Sequence, residues 1–138
     1  MASFTKFNSF VEAVAEKTHN LGSDSITVAL CAAANAPTAA NTKLSDLTQA
    51  SYTYCSSRAC TISSSAQNSG TYRLILADLV LTATGGSVGP FRYVVLYNDT
   101  ATNDELIGFY DYGSDITLAA GETLTIDFDG SNGVLSLA

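Results

Sequence analysis

The chain has 138 residues, of which 46% are apolar and only 14% are charged, and its formal net charge is −7. This length is sufficient for one domain with a substantial core. The acidic balance and the lack of Lys/Arg clusters exclude the classes of protein that bind nucleic acid phosphates, because that binding depends on clustered basic side chains. We therefore expect a single domain over residues 1–138 with no nucleic acid partner.

The longest apolar run lies near Leu74–Ala83, and Asp78 interrupts it. A membrane-spanning helix needs about 18–20 apolar residues, so we expect no membrane partner. The N-terminal stretch contains Glu12, Glu16 and Lys17, where a secretory signal would have an unbroken apolar segment. The sequence therefore predicts synthesis in a reducing cytoplasm.

The first predicted element is one amphipathic helix within residues 1–22. Its apolar face has residues at spacings of three and four, which is the helical period. Ser3 is the expected N-cap and Gly22 the expected stop, and His19 is expected to face solvent or to cap the C-terminal end. The apolar face consists of Phe4, Phe7, Phe10, Val11 and Val14.

From Ser25 onward the apolar period changes to two, and residues 25–138 are predicted to form strands and loops. Residues 26–30 alternate as a half-buried strand, whereas the segment from Ala32 to Thr42 lacks bulky side chains and contains Pro37, so it is predicted to be a loop with a contact role. The predicted weaker strands are 44–47, 51–55 and 59–63, and residues 64–70 are predicted to form another loop.

The second half of the chain carries the strongest strand signal, because β-branched and aromatic runs alternate there with Gly, Asn and Asp. About eight strands in all favour an antiparallel β-sandwich or jelly roll. Glycines between Asp127 and Val134 predict a hairpin of the last two strands. The predicted strands of this half are 72–82, 91–97, 106–112, 116–118, 124–128 and 134–137.

Residues 85–89 match the letters of the G-x-S-x-G motif that carries a nucleophilic serine. That motif requires a helix after the serine and a histidine later in the chain. Here Pro90 and a predicted strand follow Ser87, and the sole histidine, His19, precedes it. We therefore predict that Ser87 is not a catalytic nucleophile and that residues 85–89 form a Gly-rich connection between strands.

Most carboxylates lie in the C-terminal part of the chain, which raises the question of a calcium site. Asp127, Asp129 and Asn132 resemble a calcium loop whose third ligand comes one position late, and no Glu follows. The interpretation favoured by this spacing is a set of loop carboxylates that keep the surface soluble. We expect no metal and no cofactor.

Cys55 and Cys60 flank four residues and would lie opposite each other if their segments formed a hairpin. A disulfide between them and two free thiols are both open alternatives, with a reducing cytoplasm favouring free thiols. Zinc is less favoured because C-x4-C has no second pair, so that Cys31 and His19 would both have to be recruited.

Three stretches carry a resemblance over nearly the whole chain: FNSFVEAVAEKTHNLGSDSITVAL, GPFRYVVLYNDT and LIGFYDYGSDITLAAGETLTIDFDGSNGVLSLA. Together they resemble small virion proteins of tailed bacteriophages. The resemblance implies a structural protein of the virion, made in the host cytoplasm, of the decoration (cement) type that binds the outer surface of the major capsid protein lattice. It also implies a protein that is not an enzyme and has no catalytic residues. The alternative is a tail- or fibre-associated module that binds host sugars.

Capsid symmetry suggests that such a protein is a homo-oligomer, with a trimer as the working hypothesis. The candidate partner contacts are the 36–42 loop, the 85–90 loop and the phenylalanine face of the helix. For that face, packing on the protein's own sheet is favoured over a role between subunits. The candidate contact residues are Phe4, Phe7, Phe10, Pro37, Thr38, Asn41, Val88 and Pro90.

Overall fold

The computed structural model describes residues 2–138 of the chain. Within those residues there are nine strands and one short helix, α1 (Phe10–Ala15), together with 3₁₀ turns at Ala33–Asn35 and Leu44–Asp46. The strands are β1 (Ser3–Lys6), β2 (Ile26–Cys31), β3 (Ile62–Asn68), β4 (Thr71–Leu76), β5 (Leu79–Thr82), β6 (Val88–Asn98), β7 (Leu106–Leu118), β8 (Thr123–Ile126) and β9 (Leu135–Leu137).

All strand pairs are antiparallel, and the strands form three sheets. The largest has the order β1-β7-β6-β2, the second has β3-β4-β9, and β5 pairs with β8 in the third. The prediction of a mainly β, antiparallel fold with one helix near the N-terminus is confirmed. Within residues 2–138 the strands form three separate sheets, with neither a closed barrel nor a clear jelly roll.

The four-stranded sheet is buried on both faces, because both parities of β2 and β6 carry apolar side chains. One face lies in the main core, with side chains from β4, β5 and β8 in the same cluster. The opposite face is covered by Phe7 and, in part, by Leu44 and Leu47 from the connection after β2. The irregular segment between β2 and β3 therefore completes the second face of the sheet.

The predicted N-terminal helix is confirmed only over Phe10–Ala15. It is wrong over its first half, and the expected stop at Gly22 is wrong as well. Residues Ser3–Lys6 form β1 and pair with β7, so that Ser9 rather than Ser3 is the N-cap. Phe4 packs against Gly108, where any side chain would overlap the phenyl ring. The helix ends at Ala15 because Lys17 adopts a left-handed conformation with φ of 67°. The spacing of the phenylalanines therefore spans a strand, a turn and a helix.

The predicted strand 72–82 is two strands that belong to different sheets. β4 pairs with β3 and β9, whereas β5 pairs with β8. At the break, Asp78 accepts a hydrogen bond from the backbone N–H of Phe128 through its Oδ1 at 3.0 Å. The predicted C-terminal hairpin is consequently wrong, because its two strands, β8 and β9, pair with different neighbours.

Four further predictions are corrected by the structure. Residues 64–70 are largely strand β3, and the turn to β4 is made by Ser69 and Gly70, which both have positive φ, as a two-residue hairpin turn requires. Residues 44–47 contain a 3₁₀ turn, and 51–55 form no named strand. The two predicted strands 106–112 and 116–118 are one long strand, β7.

Candidate contact surface

The segment from Ala32 to Thr42 contains no charged residue, and most of its side chains are exposed. We call residues 32–42 the contact loop. Its conformation is fixed by hydrogen bonds at both ends and in the middle. The N–H of Ala33 donates to Asp115 Oδ1 at 2.9 Å, and the N–H of Thr38 donates to Asn41 Oδ1 at 2.8 Å.

The contact loop is also tied to the body of the protein. The N–H of Asn8 donates to the carbonyl of Ala39 at 2.9 Å, and the N–H of Leu106 donates to the carbonyl of Thr42 at 3.0 Å. Within the loop, Pro37 is buried, Thr38 is exposed and Asn41 is half-buried. The loop is therefore an ordered, uncharged surface rather than a free excursion. Its exposed residues are Ala33, Ala34, Asn35, Ala36, Thr38, Ala40 and Thr42.

The predicted phenylalanine face is used within the protein. Phe7 and Phe10 are 0% and 1% exposed, and Phe4 is half-buried, with its ring centroid 4.9 Å from that of Tyr110. In this structure these rings fill the protein's own core and leave little surface for a partner.

The predicted contact residues of the 85–90 segment are also partly buried within the protein. Val88 is fully buried and starts β6, whereas Pro90 is exposed. The ring of Tyr54 lies over Gly86 so closely that a side chain there would overlap it. Ser87 leads from a bend into a strand, not into the helix that a nucleophile elbow requires.

Cys55 and Cys60 do not lie in one hairpin. Cys55 pairs with Ala83, whereas the N–H of Cys60 donates to the carbonyl of Ile26 at 2.8 Å. Both are free thiols, as is Cys31. Burial raises the pKa of Cys31 to about 11 and that of Cys60 to about 12, and it also raises the pKa of Cys55. These thiols are therefore protonated, and weak as nucleophiles, at neutral pH.

The carboxylates considered for calcium have local partners. Asp129 Oδ1 accepts from the N–H groups of Ser131 and Asn132, each at 2.8 Å, and these bonds lower the pKa of Asp129. The aspartate therefore orders the glycine-containing connection before β9. Within residues 2–138 there is no group of three or more His, Cys, Asp or Glu side chains placed to bind a metal ion.

Sequence reasoning missed one polar cluster, formed by His19, Asn98 and Asp24, which we call the His19 cluster. His19 is 6% exposed rather than facing solvent, and its ring stacks on Phe10 with centroids 5.4 Å apart. Asn98 is fully buried, and its Nδ2 lies 2.7 Å from Asp24 Oδ2 and 3.0 Å from His19 Nδ1. The only local sequence signal for this cluster was Asn98, a polar residue at the end of the apolar strand β6.

The His19 cluster borders a cleft of about 930 Å³. Its walls come from the segment after α1, from the 100–105 connection, from β3 and β4, and from Leu137 of β9. Glu105 and Asp24 both line it, and their charges act to raise the pKa of His19, but burial outweighs them and lowers it.

None of the helices in residues 2–138 has the length and apolar character to span a bilayer. In comparisons with known proteins, no family model, no curated protein and no solved structure matches the chain.

Proposed function

We propose that the protein is a structural component of a bacteriophage virion, of the decoration type, and that it binds the outer surface of the capsid lattice through the contact loop. The observation that carries the proposal is that hydrogen bonds hold this exposed, uncharged loop in one conformation. Docking an ordered surface loses little conformational entropy, and the small Ala, Thr and Asn side chains lose less on burial than Lys, Glu or Gln.

The packing of the sheets supports a scaffold role. The four-stranded sheet shares its main core with β4, β5 and β8, and its second face is covered by Phe7 and, in part, by Leu44 and Leu47. We infer a β-sandwich-like body from this packing. A body of this kind resists deformation, as a protein that reinforces a shell must. We infer a non-catalytic role, a homo-oligomer, with the trimer as working hypothesis, and the major capsid protein as partner.

Copy number in purified virions tests the location. A protein that decorates the lattice is present in hundreds of copies, and quantitative mass spectrometry against the major capsid protein measures this ratio. Electron cryomicroscopy of the same particles then shows whether the density on the outer shell contains this fold. A copy number of about a dozen or fewer would instead place the protein in the tail and favour the host-binding alternative.

Placing a charge on the contact loop should weaken attachment to capsids. We expect Ala34→Glu to lower the occupancy of isolated capsids at least tenfold, since a desolvated, unpaired carboxylate costs more than about 1.4 kcal/mol at an interface. The measurement is co-sedimentation of purified protein with capsids that lack it. Ala120→Glu is the matched control, because Ala120 is also exposed but lies between β7 and β8. Equal binding of both variants would exclude the contact loop as the docking surface.

A further inference from the structure

We propose that the His19 cluster is an acid-sensitive conformational switch: the neutral imidazole joins the segment after α1 to the end of β6, and its protonation releases the 99–105 connection that borders the cleft. This inference is independent of the proposed function. It depends on the hydrogen-bonding capacity of each atom in the cluster.

The orientation of the Asn98 amide is determined by its backbone partners. Asn98 Oδ1 accepts from the N–H groups of Thr100 and Ala101, at 3.0 and 3.1 Å. The other end of the amide must therefore be Nδ2, which has two protons and no acceptor capacity. One proton goes to Asp24 Oδ2, and the other is directed at His19 Nδ1.

This arrangement defines the tautomer of the imidazole. Because Asn98 donates to His19 Nδ1, that nitrogen must be the unprotonated acceptor, and the proton is on Nε2. The Nε2 atom is itself buried, and within residues 2–138 no group accepts from it. A second proton, on Nδ1, would point at the Asn98 Nδ2 donor. The imidazolium is therefore incompatible with the hydrogen bonds of the folded cluster.

Charged groups near the ring can stabilise the imidazolium in a different orientation. Asp24 and Glu105 are the carboxylates that act on His19, and Lys17 is the cation on the same cleft wall. An imidazolium that turns away from Asn98 can pair with either carboxylate in the cleft. The ring is thus stable in two arrangements, one neutral and buried, the other charged and hydrated.

Release of Asn98 affects the connection between β6 and β7 directly. The same Asn98 side chain accepts from Thr100 and Ala101, and Thr100 Oγ1 in turn accepts from the N–H of Ser25 at 2.8 Å. Loss of the His19 contact therefore loosens the first part of the 99–105 connection. The strands on either side are held by the sheet and are expected to stay in place.

The experiment uses NMR on the intact protein, and it benefits from the presence of a single histidine. At pH 7.5 the imidazole nitrogens should report the Nε2-protonated tautomer. Burial lowers the pKa of His19, so the ring should titrate below the ordinary value of about 6.5. As it titrates, the amide protection factors of Thr100 and Ala101 should fall several-fold, with the same midpoint, while those of β2 stay unchanged.

His19→Asn is the matched variant, because its Oδ1 can accept from Asn98 near the position of Nδ1 but does not titrate. In this variant the acid-dependent loss of protection at Thr100 and Ala101 should disappear. The variant retains Asp104 and the other carboxylates, so any acid-dependent loss of amide protection that remains in it is caused by those carboxylates. An Nδ1-protonated tautomer at pH 7.5, or protection that falls equally in both proteins, would overturn the proposal. The wild-type titration decides the question even if the variant does not fold.

Discussion

Gly133→Ala should destabilise the protein by about 3 kcal/mol or more in the free energy of unfolding. Gly133 has φ of 81°, and a Cβ at this position would lie 2.5 Å from the carbonyl oxygen of Leu74. That carbonyl accepts the N–H of Val134 at 2.8 Å. The methyl group would therefore push the start of β9 away from β4, and chemical denaturation followed by circular dichroism measures the loss.

Gly70→Ala is the matched control for this substitution. Gly70 has nearly the same φ, 84°, but in the described part of the chain no atom lies within 4 Å of an added Cβ. Only the cost of the left-handed backbone remains, about 1 kcal/mol. The difference between the two variants isolates the steric contact with Leu74. If Gly133→Ala and Gly70→Ala lowered the free energy of unfolding equally, the close contact between Gly133 and the Leu74 carbonyl would be contradicted.

Asn98→Ala should cost about 3–5 kcal/mol of unfolding free energy, because it leaves several buried groups without partners. The amide contacts Asp24, His19 and the N–H groups of Thr100 and Ala101. Alanine supplies neither donor nor acceptor, and the Asn98 site is fully buried. Thermal or urea unfolding at pH 7.5, where His19 is neutral, measures the effect.

Asn35→Ala makes the same chemical change on the exposed surface of the contact loop. We expect it to alter the free energy of unfolding by less than about 0.5 kcal/mol. A similarly small loss for Asn98→Ala would mean that the His19 cluster contributes little to the fold.

The sequence predicted secondary structure correctly where a local pattern of residues determines it. The alternation in 26–30 and the aromatic and β-branched runs of 91–97 and 106–112 correspond to β2, β6 and β7, because strand propensity is strong there. The expected half-burial of residues 26–30 is wrong, since β2 is buried on both faces. That residues 32–42 form no strand was also predicted from composition alone, since the segment has no bulky side chains and contains Pro37. Its contact role stays a prediction.

The errors occurred where a distant segment decides the structure. The spacing of Phe4, Phe7 and Phe10 fits a helix, but β1 forms because β7 offers a free edge and Gly108 leaves room for a phenyl ring. Residues 72–82 form a continuous apolar run, and only the separate partners of β4 and β5 divide it. Pairing partners of this kind are not encoded in local propensity.

The His19 cluster illustrates the same limit for the candidate site. Its members come from the segment after α1 and from the end of β6, and the ring is buried by Phe10. A histidine near a helix end more often faces solvent, so the local pattern favoured the wrong environment. Burial of a polar side chain depends on the partners that the tertiary structure provides.

The place of β1 in its sheet has a consequence for the order of folding. Ser3 pairs with Asp111, so this ladder closes a very long loop of chain, and such closures are slow. β6 and β7, by contrast, are joined by the short 99–105 connection and can associate early. During renaturation we therefore expect β6 and β7 to pair early and the N-terminal residues to join β7 in a late step.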